Sequence, residues 1–416
     1  MSITRRALLA GAAQLAAAGA VTPGDRRVDA VALQTPSGAL PARRDFAIPA
    51  GQTYLNSAFI HPMPIAAASA VSRYIESRAF SRERWSGDDL AAKVRAQFAA
   101  LINATPAEIS LVESTSRGEN LVVNGLGVPS NDGNVVTDAL HFEGSLILYG
   151  ELQKRGLDVR LVRAREWRID LADIEKVVDR KTRLVAVSLV SWYNGFQHDL
   201  TRLCDLAHAH GARVYADIVQ AAGNTPIDVR ASGVDFCACS SFKWLMGDFG
   251  LGFLYVREGL LDSVIRRSEY GYQQAETSMH YLPSDPPAAT PVTWTMNADT
   301  RGHFQVGTYG QGAINALAES LAYLQRAGVG NIHAHRQPLL RRLHDEMPRL
   351  GFTSITPPGT TSAIASFTAR DAEKRFAARL KQANVNVTIS GERIRISPSL
   401  FNDAGDIDRL LAALSS

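Results

Sequence analysis

The chain has 416 residues, of which 46% are apolar, 20% charged and 7% aromatic. This composition is typical of a globular protein with a large core, and it excludes a disordered chain, a collagen-like chain and a multi-span membrane protein. The formal net charge is only +3, which gives no electrostatic case for binding nucleic acid. Lysine is scarce, because the 44 basic residues comprise 37 arginines and seven lysines.

The N-terminus has the features of an export signal. Arg5 and Arg6 precede an alanine-rich run that ends in a small-residue cleavage pattern near Ala20, which resembles a twin-arginine signal peptide. The apolar run of about 14 residues is too short to span a bilayer, so we expect no stable membrane anchor. We predict a signal peptide and linker over residues 1–30, and a periplasmic or exported protein.

From about residue 108 onward, apolar β-branched runs alternate with segments of helical period. The predicted strands are 109–113, 135–137, 159–162, 184–189, 213–216, 236–240 and 252–256. The predicted helices between them are 118–125, 142–154, 171–178 and 201–210. This alternation predicts an α/β fold with a mostly parallel sheet that helices cover on both faces. Ligands of such sheets bind at the carboxyl ends of the strands.

The second half of the chain predicts a smaller α/β unit. Residues 262–306 lack the alternation of apolar strands with helical segments and contain a proline-rich stretch. This pattern indicates a long loop at an active site or an interface. A helix at 311–324 follows, then strands within 385–396 and a helix at 407–414. We predict a large domain over 61–309 and a small domain formed by 45–60 and 310–416.

Polar residues at three predicted strand ends indicate a shared site. Thr115 and Ser116 join a strand to a helix, which is the pattern of a phosphate cradle at a helix N-terminus, although an ordinary N-cap gives the same pattern. Asp217 directly follows an apolar strand, where a buried carboxylate needs a cationic partner. Lys243 follows another, where partial desolvation lowers its pKa and favours the neutral amine that forms imines.

These three features match the needs of one cofactor. Pyridoxal 5'-phosphate requires N–H donors for its phosphate, an anion for its ring nitrogen and a lysine for its aldehyde. The anion keeps the ring nitrogen protonated, so that the ring accepts electrons from a substrate carbanion. We therefore predict pyridoxal 5'-phosphate as the cofactor and no metal, since no cysteine and histidine spacing typical of a metal site occurs.

Several sequence motifs resemble those of one known family. They are residues 190–200 (VSWYNGFQHDL), Asp217-x-x-Gln220-x-x-Gly223, Ser240-x-x-Lys243-Trp244-Leu245, Gly250-x-Gly252 and Gly307-Thr308. In this order they resemble the class V aminotransferase family, in the branch of isopenicillin N epimerase-like and cysteine desulfurase-like proteins. The resemblance runs from Tyr54 to Asp408, and it implies the pyridoxal-phosphate-dependent transferase fold of type I.

The resemblance implies a role for each matched residue of the cofactor site. Lys243 would hold the cofactor as an imine and move the Cα proton, Asp217 would pair with the ring nitrogen, and Gln220 would hydrogen-bond the ring hydroxyl. Either His141 or Phe142 would stack on the ring, and the spacing to Tyr149 slightly favours Phe142. The residues expected at a phosphate are Thr115, Ser116 and Ser240, with Gly307 and Thr308 reaching the partner subunit's phosphate in a homodimer with shared active sites.

On the substrate side, the resemblance implies that Arg395 clamps the substrate carboxylate, a bidentate task that lysine performs less well. The alternative for Arg395 is a surface arginine on an edge strand. Asn56 and Trp192 are further candidate substrate-binding residues. Trp192 stands where the desulfurases have a substrate-contacting asparagine. Phe242 stands where the family usually has an aromatic residue or a histidine before the lysine, and it cannot donate a hydrogen bond.

The cysteines also depart from the desulfurase pattern. Desulfurases carry a nucleophilic cysteine on a loop shortly before the carboxylate-binding arginine, but this chain has no cysteine after Cys239. Cys237 and Cys239 are expected on the same face of a strand as buried core thiols. Persulfide chemistry of the desulfurase type is therefore disfavoured.

Three functions remain open from the sequence. The first is a pyridoxal-phosphate enzyme acting at the Cα of an amino acid or a peptide-borne amino group, of aminotransferase or epimerase type, which tailors a secreted peptide or siderophore. The second is a C–S lyase of the desulfurase or selenocysteine lyase type that lacks the loop cysteine. The third is a catalytically silent binding protein, against which the intact Lys243, Asp217 and Gln220 argue.

Overall fold

The computed structural model describes residues 40–80, 87–128, 132–286 and 290–415. The predicted signal peptide and linker at 1–30 lie outside the described residues. Within these described ranges, no helix is long and apolar enough to cross a membrane.

The described strands supply a large central sheet and several smaller pairings. In chain order they are β1 (Thr53–Tyr54), β2 (Ile109–Val112), β3 (Asn134–Asp138), β4 (Asp158–Val162), β5 (Thr182–Ser188), β6 (Arg213–Asp217), β7 (Phe236–Ser240), β8 (Gly252–Val256), β9 (Ala275–His280), β10 (Val292–Met296), β11 (Thr353–Ser354), β12 (Ala365–Thr368), β13 (Val385–Asn386), β14 (Thr388–Ser390) and β15 (Arg393–Ile396). The central sheet has seven strands in the order β2-β8-β7-β6-β5-β3-β4. Strands β3 to β7 run parallel, and only β8 is antiparallel to its neighbours β7 and β2. The mostly parallel sheet predicted from the sequence is confirmed.

The helices complete the layers. In chain order they are α1 (Ile65–Phe80), α2 (Gly87–Leu101), α3 (Thr115–Gly125), α4 (Glu143–Lys154), α5 (Leu171–Glu175), α6 (Leu200–Ala209), α7 (Val229–Ser232), α8 (Thr300–Phe304), α9 (Gln311–Ala327), α10 (Val329–Glu346), α11 (Ala372–Gln382) and α12 (Ala404–Ser415). Residues of α3 and α4 pack in one core cluster, whereas residues of α2, α6 and α9 pack in another. Both faces of the sheet are therefore covered, as the apolar strands require.

Strand β7 shows how the two cores share one sheet. All five of its residues are buried, and successive side chains point to opposite faces. Cys237 and Cys239 lie in the core with α6 and α9, whereas Phe236 and Ala238 lie in the core with α3. The expectation of two buried core thiols on one face of this strand is confirmed.

A second sheet lies in the C-terminal part of the chain. Strands β11, β12, β15 and β14 form an antiparallel sheet in that order, and its core contains apolar residues of α10, α11 and α12. Strand β1 pairs in parallel with β13, so residues near position 53 join the C-terminal part of the chain. The domain boundaries at 45–60 with 310–416 and at 61–309 stay a prediction.

Several local features differ from the sequence prediction. Helix α3 begins three residues earlier than predicted, because Ser114 Oγ caps it by accepting from the backbone N–H of Arg117 at 3.1 Å. Residues 262–306, predicted as a loop, contain the antiparallel hairpin of β9 and β10 and the short helix α8. Helices α1, α2, α10 and α11 were not predicted. The strand region 385–396 is divided into β13, β14 and β15.

Candidate active site

Three neighbouring parallel strands end at the predicted site. Strands β5, β6 and β7 end at Ser188, Asp217 and Ser240. Ser188 lies opposite Asp217, and Asp217 lies opposite Ala238, in the register of the sheet. Because parallel strands end at one edge, the chain that follows β7 carries Lys243 to the same edge.

The Lys243 amine lies among aromatic rings. Its Nζ is 5.8 Å from the ring centroid of Phe142 and 5.7 Å from that of Phe242. Burial lowers the pKa of Lys243 to about 8, although the Asp217 carboxylate acts in the opposite direction and Arg395 adds to the lowering. A substantial fraction of the amine is therefore neutral near pH 8, which is the form that attacks an aldehyde.

Asp217 is a buried carboxylate, with 2% of its surface exposed. Its Oδ1 accepts a hydrogen bond from the backbone N–H of Val219 at 2.9 Å. Burial raises the pKa of Asp217, while the charges of His141 and Lys243 lower it. A cationic ring nitrogen bound beside this carboxylate would supply the ionic partner that a buried aspartate requires.

The predicted phosphate residues meet at the N-terminus of α3. Thr115 donates its backbone N–H to Ser240 Oγ at 2.9 Å, and Ser240 donates its N–H to Thr115 Oγ1 at 2.9 Å. Gly118 allows this helix to lie against the sheet, since a Cβ there would be only 2.8 Å from Ala238 Cβ. Ser116 is exposed. The hydroxyls and the positive helix end thus form one polar corner that suits an anion.

Gln220 is fixed by two hydrogen bonds. Its Nε2 donates to the backbone oxygen of Ala58 at 3.0 Å, and its Oε1 accepts from Trp244 Nε1 at 2.9 Å. Gly223 has φ +93° and brings the loop against Trp244, because a Cβ would be 2.4 Å from the Trp244 oxygen. One N–H of the Gln220 amide remains for the predicted bond to the cofactor's ring hydroxyl.

The structure distinguishes the two candidates for stacking on the cofactor ring. His141 is buried, with Nδ1 at 2.8 Å from Ser188 Oγ and Nε2 at 3.1 Å from Glu119 Oε1. Phe142 instead lies beside the Lys243 amine, and a Cβ on Gly144 would approach both the Phe142 ring and Ser116 Oγ. This arrangement favours Phe142 as the stacking residue.

Arg395 lies in an interior strand. Strand β15 lies between β12 and β14, and Arg395 is 3% exposed, so the edge-strand alternative is wrong. Its Nη1 donates to the Trp192 oxygen at 2.8 Å and its Nη2 to Thr388 Oγ1 at 3.2 Å, while its buried Nε has no hydrogen-bond partner among the described residues. Burial, with the charge of Arg393, lowers the pKa of Arg395 to about 10. The guanidinium therefore suits a carboxylate ligand.

The other two predicted substrate residues lie next to Arg395. Thr388 accepts from Arg395 and donates its hydroxyl to Asn56 Oδ1 at 2.7 Å, so Asn56 belongs to the same hydrogen-bond chain. The Trp192 ring lies edge-on to Phe142 at 6.2 Å between centroids, and the Arg393 guanidinium lies 5.1 Å from the Trp192 ring. Asn56, Trp192 and Arg395 are thus brought together.

Gly307 and Thr308 lie on the chain before α9. Thr308 is exposed, and its hydroxyl forms a hydrogen bond with the Tyr272 hydroxyl. A Cβ on Gly307 would meet open space. Their predicted contact with the partner subunit's phosphate stays a prediction.

The cysteines lie in the core. Cys204, Cys237 and Cys239 are buried, and burial raises the pKa of each thiol. Among the residues with described positions, no group of three histidine, cysteine or acidic side chains could hold a metal ion.

The site fits pyridoxal phosphate through four properties of its residues. They are a lysine of lowered pKa, a buried carboxylate beside it, a hydroxyl-rich helix N-terminus and a phenyl ring close to the amine. The fold and the site define a pyridoxal-phosphate-dependent enzyme of fold type I.

Comparison with known proteins gives the family. Residues 70–409 match the sequence model of the family described as Aminotransferase class-V, and this chain belongs to that family. It is 27% identical to a probable cysteine desulfurase of Methanothermobacter thermautotrophicus over 358 residues, 83% of this chain and 85% of that protein.

Solved structures agree on the fold. A cysteine desulfurase of Thermococcus onnurineus superimposes with a TM-score of 0.78 at 23% identity, over 91% of this chain and 98% of that one. The cystine C–S lyase C-DES, solved with its product cysteine persulfide, superimposes with a TM-score of 0.77 at 20% identity, over 88% and 98%.

Sequence reasoning did not identify three side chains near the site. Glu119 is buried behind His141, Thr388 links Arg395 to Asn56, and Arg393 lies over the rings of Trp192 and Tyr193. The sequence contained one signal for these side chains, namely the acidic residue Glu119 on the apolar face of α3. An acid at an apolar position indicates a buried partner, because such positions rarely carry an unpaired acid.

Proposed function

We propose that this enzyme acts on an α-amino acid whose carboxylate binds Arg395 and whose Cα lies next to Lys243. The observation that carries the proposal is the set of contacts that places Lys243 and Arg395 in one site. The Lys243 amine lies 5.8 Å from the Phe142 ring centroid, and the Phe142 ring lies edge-on to that of Trp192. The Trp192 backbone oxygen in turn accepts a hydrogen bond from Arg395 Nη1 at 2.8 Å. Pyridoxal phosphate, when bound, supplies the electron sink for the pair of electrons left at Cα. The neutral Lys243 amine removes the Cα proton and can return it to a carbon.

We propose β-elimination of the C–S lyase type as the reaction. Two of the similar proteins described above are named as desulfurases and one as a cystine C–S lyase. This similarity supports a sulfur-containing amino acid as the substrate. In this reaction the Cα–H bond and the Cβ–S bond break, and sulfur leaves with the bonding electrons. After hydrolysis of the three-carbon fragment, the products are pyruvate, ammonium and the released sulfur compound. That compound is sulfide from cysteine, a thiol from an S-substituted cysteine and a persulfide from cystine.

The cysteines support release of the sulfur as a small molecule. The chain has three cysteines, and each is a buried thiol whose pKa is raised by burial. The thiolate is the nucleophilic form, so none of these residues suits attack on the departing sulfur. The proposed enzyme therefore makes no protein persulfide.

A second candidate is the aminotransferase or epimerase type of reaction on a larger amino-group substrate, including a peptide-borne one. The aromatic side chains near the lysine favour it, because Phe142, Phe242 and Trp192 present apolar surface rather than hydrogen-bond donors. With an export signal, such an enzyme would tailor a secreted peptide or siderophore in the periplasm.

Export and dimerisation are separate proposals. The twin-arginine pattern supports export to the periplasm. The test is to express the full chain with and without Arg5 and Arg6 replaced by lysine, and then to fractionate the cells.

Exposed aromatic residues near Gly307 and Thr308, namely Tyr270 and Tyr272, support a homodimer. Light scattering of the purified protein tests that state, and a monomeric mass would contradict it.

One assay distinguishes the two reactions. The pyridoxal-phosphate-loaded enzyme is incubated with cysteine, cystine, S-substituted cysteines and a panel of bulky amino acids, and pyruvate, 2-oxo acids and chirality are followed. Pyruvate with stoichiometric ammonium from a sulfur amino acid supports elimination. A 2-oxo acid that keeps the substrate's side chain, or loss of chirality without pyruvate, would establish the second candidate instead.

A further inference from the structure

A buried polar cluster on α3 and α4 lies behind Asp217, outside the roles described above. Glu119, on α3, is 1% exposed and accepts hydrogen bonds from Ser145 Oγ, from Tyr149 Oη at 2.8 Å and from His141 Nε2 at 3.1 Å. A carboxylate this deeply buried is costly unless donors and a positive charge surround it. The surroundings of Glu119 therefore suit a carboxylate anion.

His141 connects this carboxylate to the end of β5, which lies beside the end of β6. Its Nε2 faces Glu119, and its Nδ1 lies 2.8 Å from Ser188 Oγ. Ser188 Oγ also accepts the backbone N–H of Phe142 at 3.2 Å, and Ser188 lies opposite Asp217 in the sheet. Both ring nitrogens thus have an acceptor oxygen beside them, which is the arrangement that an imidazolium requires.

The charges around His141 are mainly negative. Glu119 faces it from α3, Asp138 from the end of β3 and Asp217 from β6; His198 Nε2 is bonded to Asp138 at 3.0 Å. Burial alone would lower the pKa of His141, but these carboxylates, Glu119 foremost, outweigh burial and raise it.

The effect reaches Asp217. Burial raises the pKa of Asp217, and the positive charge of His141 is the foremost influence that lowers it, ahead of the Val219 N–H bond and the charge of Lys243. Glu119 itself is negative and acts weakly in the opposite direction. A protonated His141 therefore favours the ionised form of Asp217.

We propose that Glu119 is a positioning residue that keeps His141 as an imidazolium beside Asp217, so that Asp217 faces the cofactor's ring nitrogen as a carboxylate. This inference rests on the proposed role of Asp217. The ring nitrogen is protonated only opposite an anion, so Glu119 sets the electron-accepting strength of a ring that it does not touch.

A purely structural role for Glu119 would leave the ring nitrogen unaffected, and equilibrium binding separates the two roles. The full-length apo-protein is titrated with pyridoxal 5'-phosphate and with its analogue in which carbon replaces the ring nitrogen. The preference is the ratio of the two dissociation constants, and it reports the ring nitrogen without any turnover. The variants are Glu119→Gln, which keeps the shape but removes the charge, and Tyr149→Phe, which removes one hydrogen bond to Glu119 but no charge.

We expect the wild-type protein and Tyr149→Phe to prefer the natural cofactor to the same degree. Glu119→Gln should lose about tenfold of this preference, the equivalent of about one pKa unit. Glu119→Asp, which retains the charge, should restore most of it. Equal preference in Glu119→Gln and wild type, or an equal loss in Tyr149→Phe, would overturn the inference.

Two further measurements keep the test decisive. The first is NMR of the apo-protein with histidine labelled at ring carbon Cε1, in which the signal missing from His141→Gln is assigned to His141. We expect the midpoint of the His141 titration above pH 6.5 in the wild type and below pH 6.5 in Glu119→Gln. An unchanged midpoint overturns the proposal. If Glu119→Gln does not fold, His141→Gln should show the same loss of preference. The variant Asp217→Asn distinguishes failure of the inference about Glu119 from failure of the proposed role of Asp217. If Asp217→Asn keeps the preference for the natural cofactor, the role of Asp217 is wrong as well. If only Asp217→Asn loses this preference, the inference about Glu119 alone is overturned.

Discussion

The cofactor side and the substrate side of this site are built from different parts of the chain. Asp217 and Ser240 end adjacent strands of one sheet, whose register fixes their spacing, and Lys243 follows the second of these strands. Arg395 lies in the second sheet and reaches the site through contacts with Trp192 and Thr388. The cofactor side is thus defined by local strand ends, while the substrate side depends on how two sheets are placed.

This difference predicts how substitutions on the two sides of the site differ in their effects. The cofactor side retains a lysine, an acid and hydroxyls that match the needs of pyridoxal phosphate. The substrate side combines a carboxylate-binding arginine with aromatic surface and has no thiol with an accessible thiolate. Substitution of the lysine on the cofactor side should therefore abolish function, whereas substitutions on the substrate side should mainly change substrate affinity.

The largest effect is expected for Lys243→Ala. Loss of the covalent amine and the Cα base should lower kcat by about 10³-fold or more. The loaded variant should also lack the visible absorbance of the lysine-bound cofactor. Lys181→Ala, at an exposed lysine, is the matched control. Wild-type turnover by Lys243→Ala would contradict the assignment of the cofactor side.

Arg395→Lys tests the substrate side alone. Replacing the planar guanidinium by a single ammonium removes bidentate binding, and we expect KM for an α-amino acid to rise about 10- to 100-fold. Pyridoxal phosphate affinity should change little. Arg349→Lys, on the surface, provides the control. A large loss of cofactor affinity together with unchanged KM would reverse the assignment of the two sides.

The pH dependence of cofactor uptake probes the lysine environment. Burial lowers the pKa of Lys243 to about 8, so the neutral amine is the main form above pH 8 and is lost as the pH falls. The rate at which apo-protein acquires visible absorbance should fall about tenfold per unit below pH 8. A midpoint near 10.4, the ordinary lysine value, would show that the amine is not desolvated.

The smallest effect is expected for Phe142→Ala. An aromatic pair contributes about 1 kcal/mol beyond its buried area, so pyridoxal phosphate should bind roughly fivefold or more weakly. Phe80→Ala, at a ring that is 84% exposed, should leave binding unchanged. If His141→Ala weakens stacking more than Phe142→Ala does, as judged by the cofactor's circular dichroism, the choice of Phe142 is wrong.

The sequence was most informative where a residue type and a strand end coincide. Asp217 ends an apolar strand and Lys243 closely follows one, so a short segment was enough to predict their place. His141 and Phe142 could not be separated, because the direction of a loop side chain depends on partners such as Glu119 and Ser188, which are distant in sequence.

Other features depended on long-range placement. The interior position of Arg395 follows from the strand order β12-β15-β14, which periodicity does not encode. The hairpin of β9 and β10 was missed because β9 shows no alternation between apolar and polar positions. Strand β10 does alternate, from Val292 to Met296, but its side chains, like those of β9, are mostly exposed, so no buried face marks the pair. The bond between Gln220 and Trp244 likewise needs the folded loop.

Chemical trapping tests the central claim most directly. Borohydride is added to the full-length protein loaded with pyridoxal phosphate, and the modified peptide is sequenced by mass spectrometry. We predict one pyridoxyl group per chain, attached to Lys243, and none in Lys243→Ala. Stoichiometric modification at another of the seven lysines, or a loaded protein that borohydride leaves unmodified, would contradict the account.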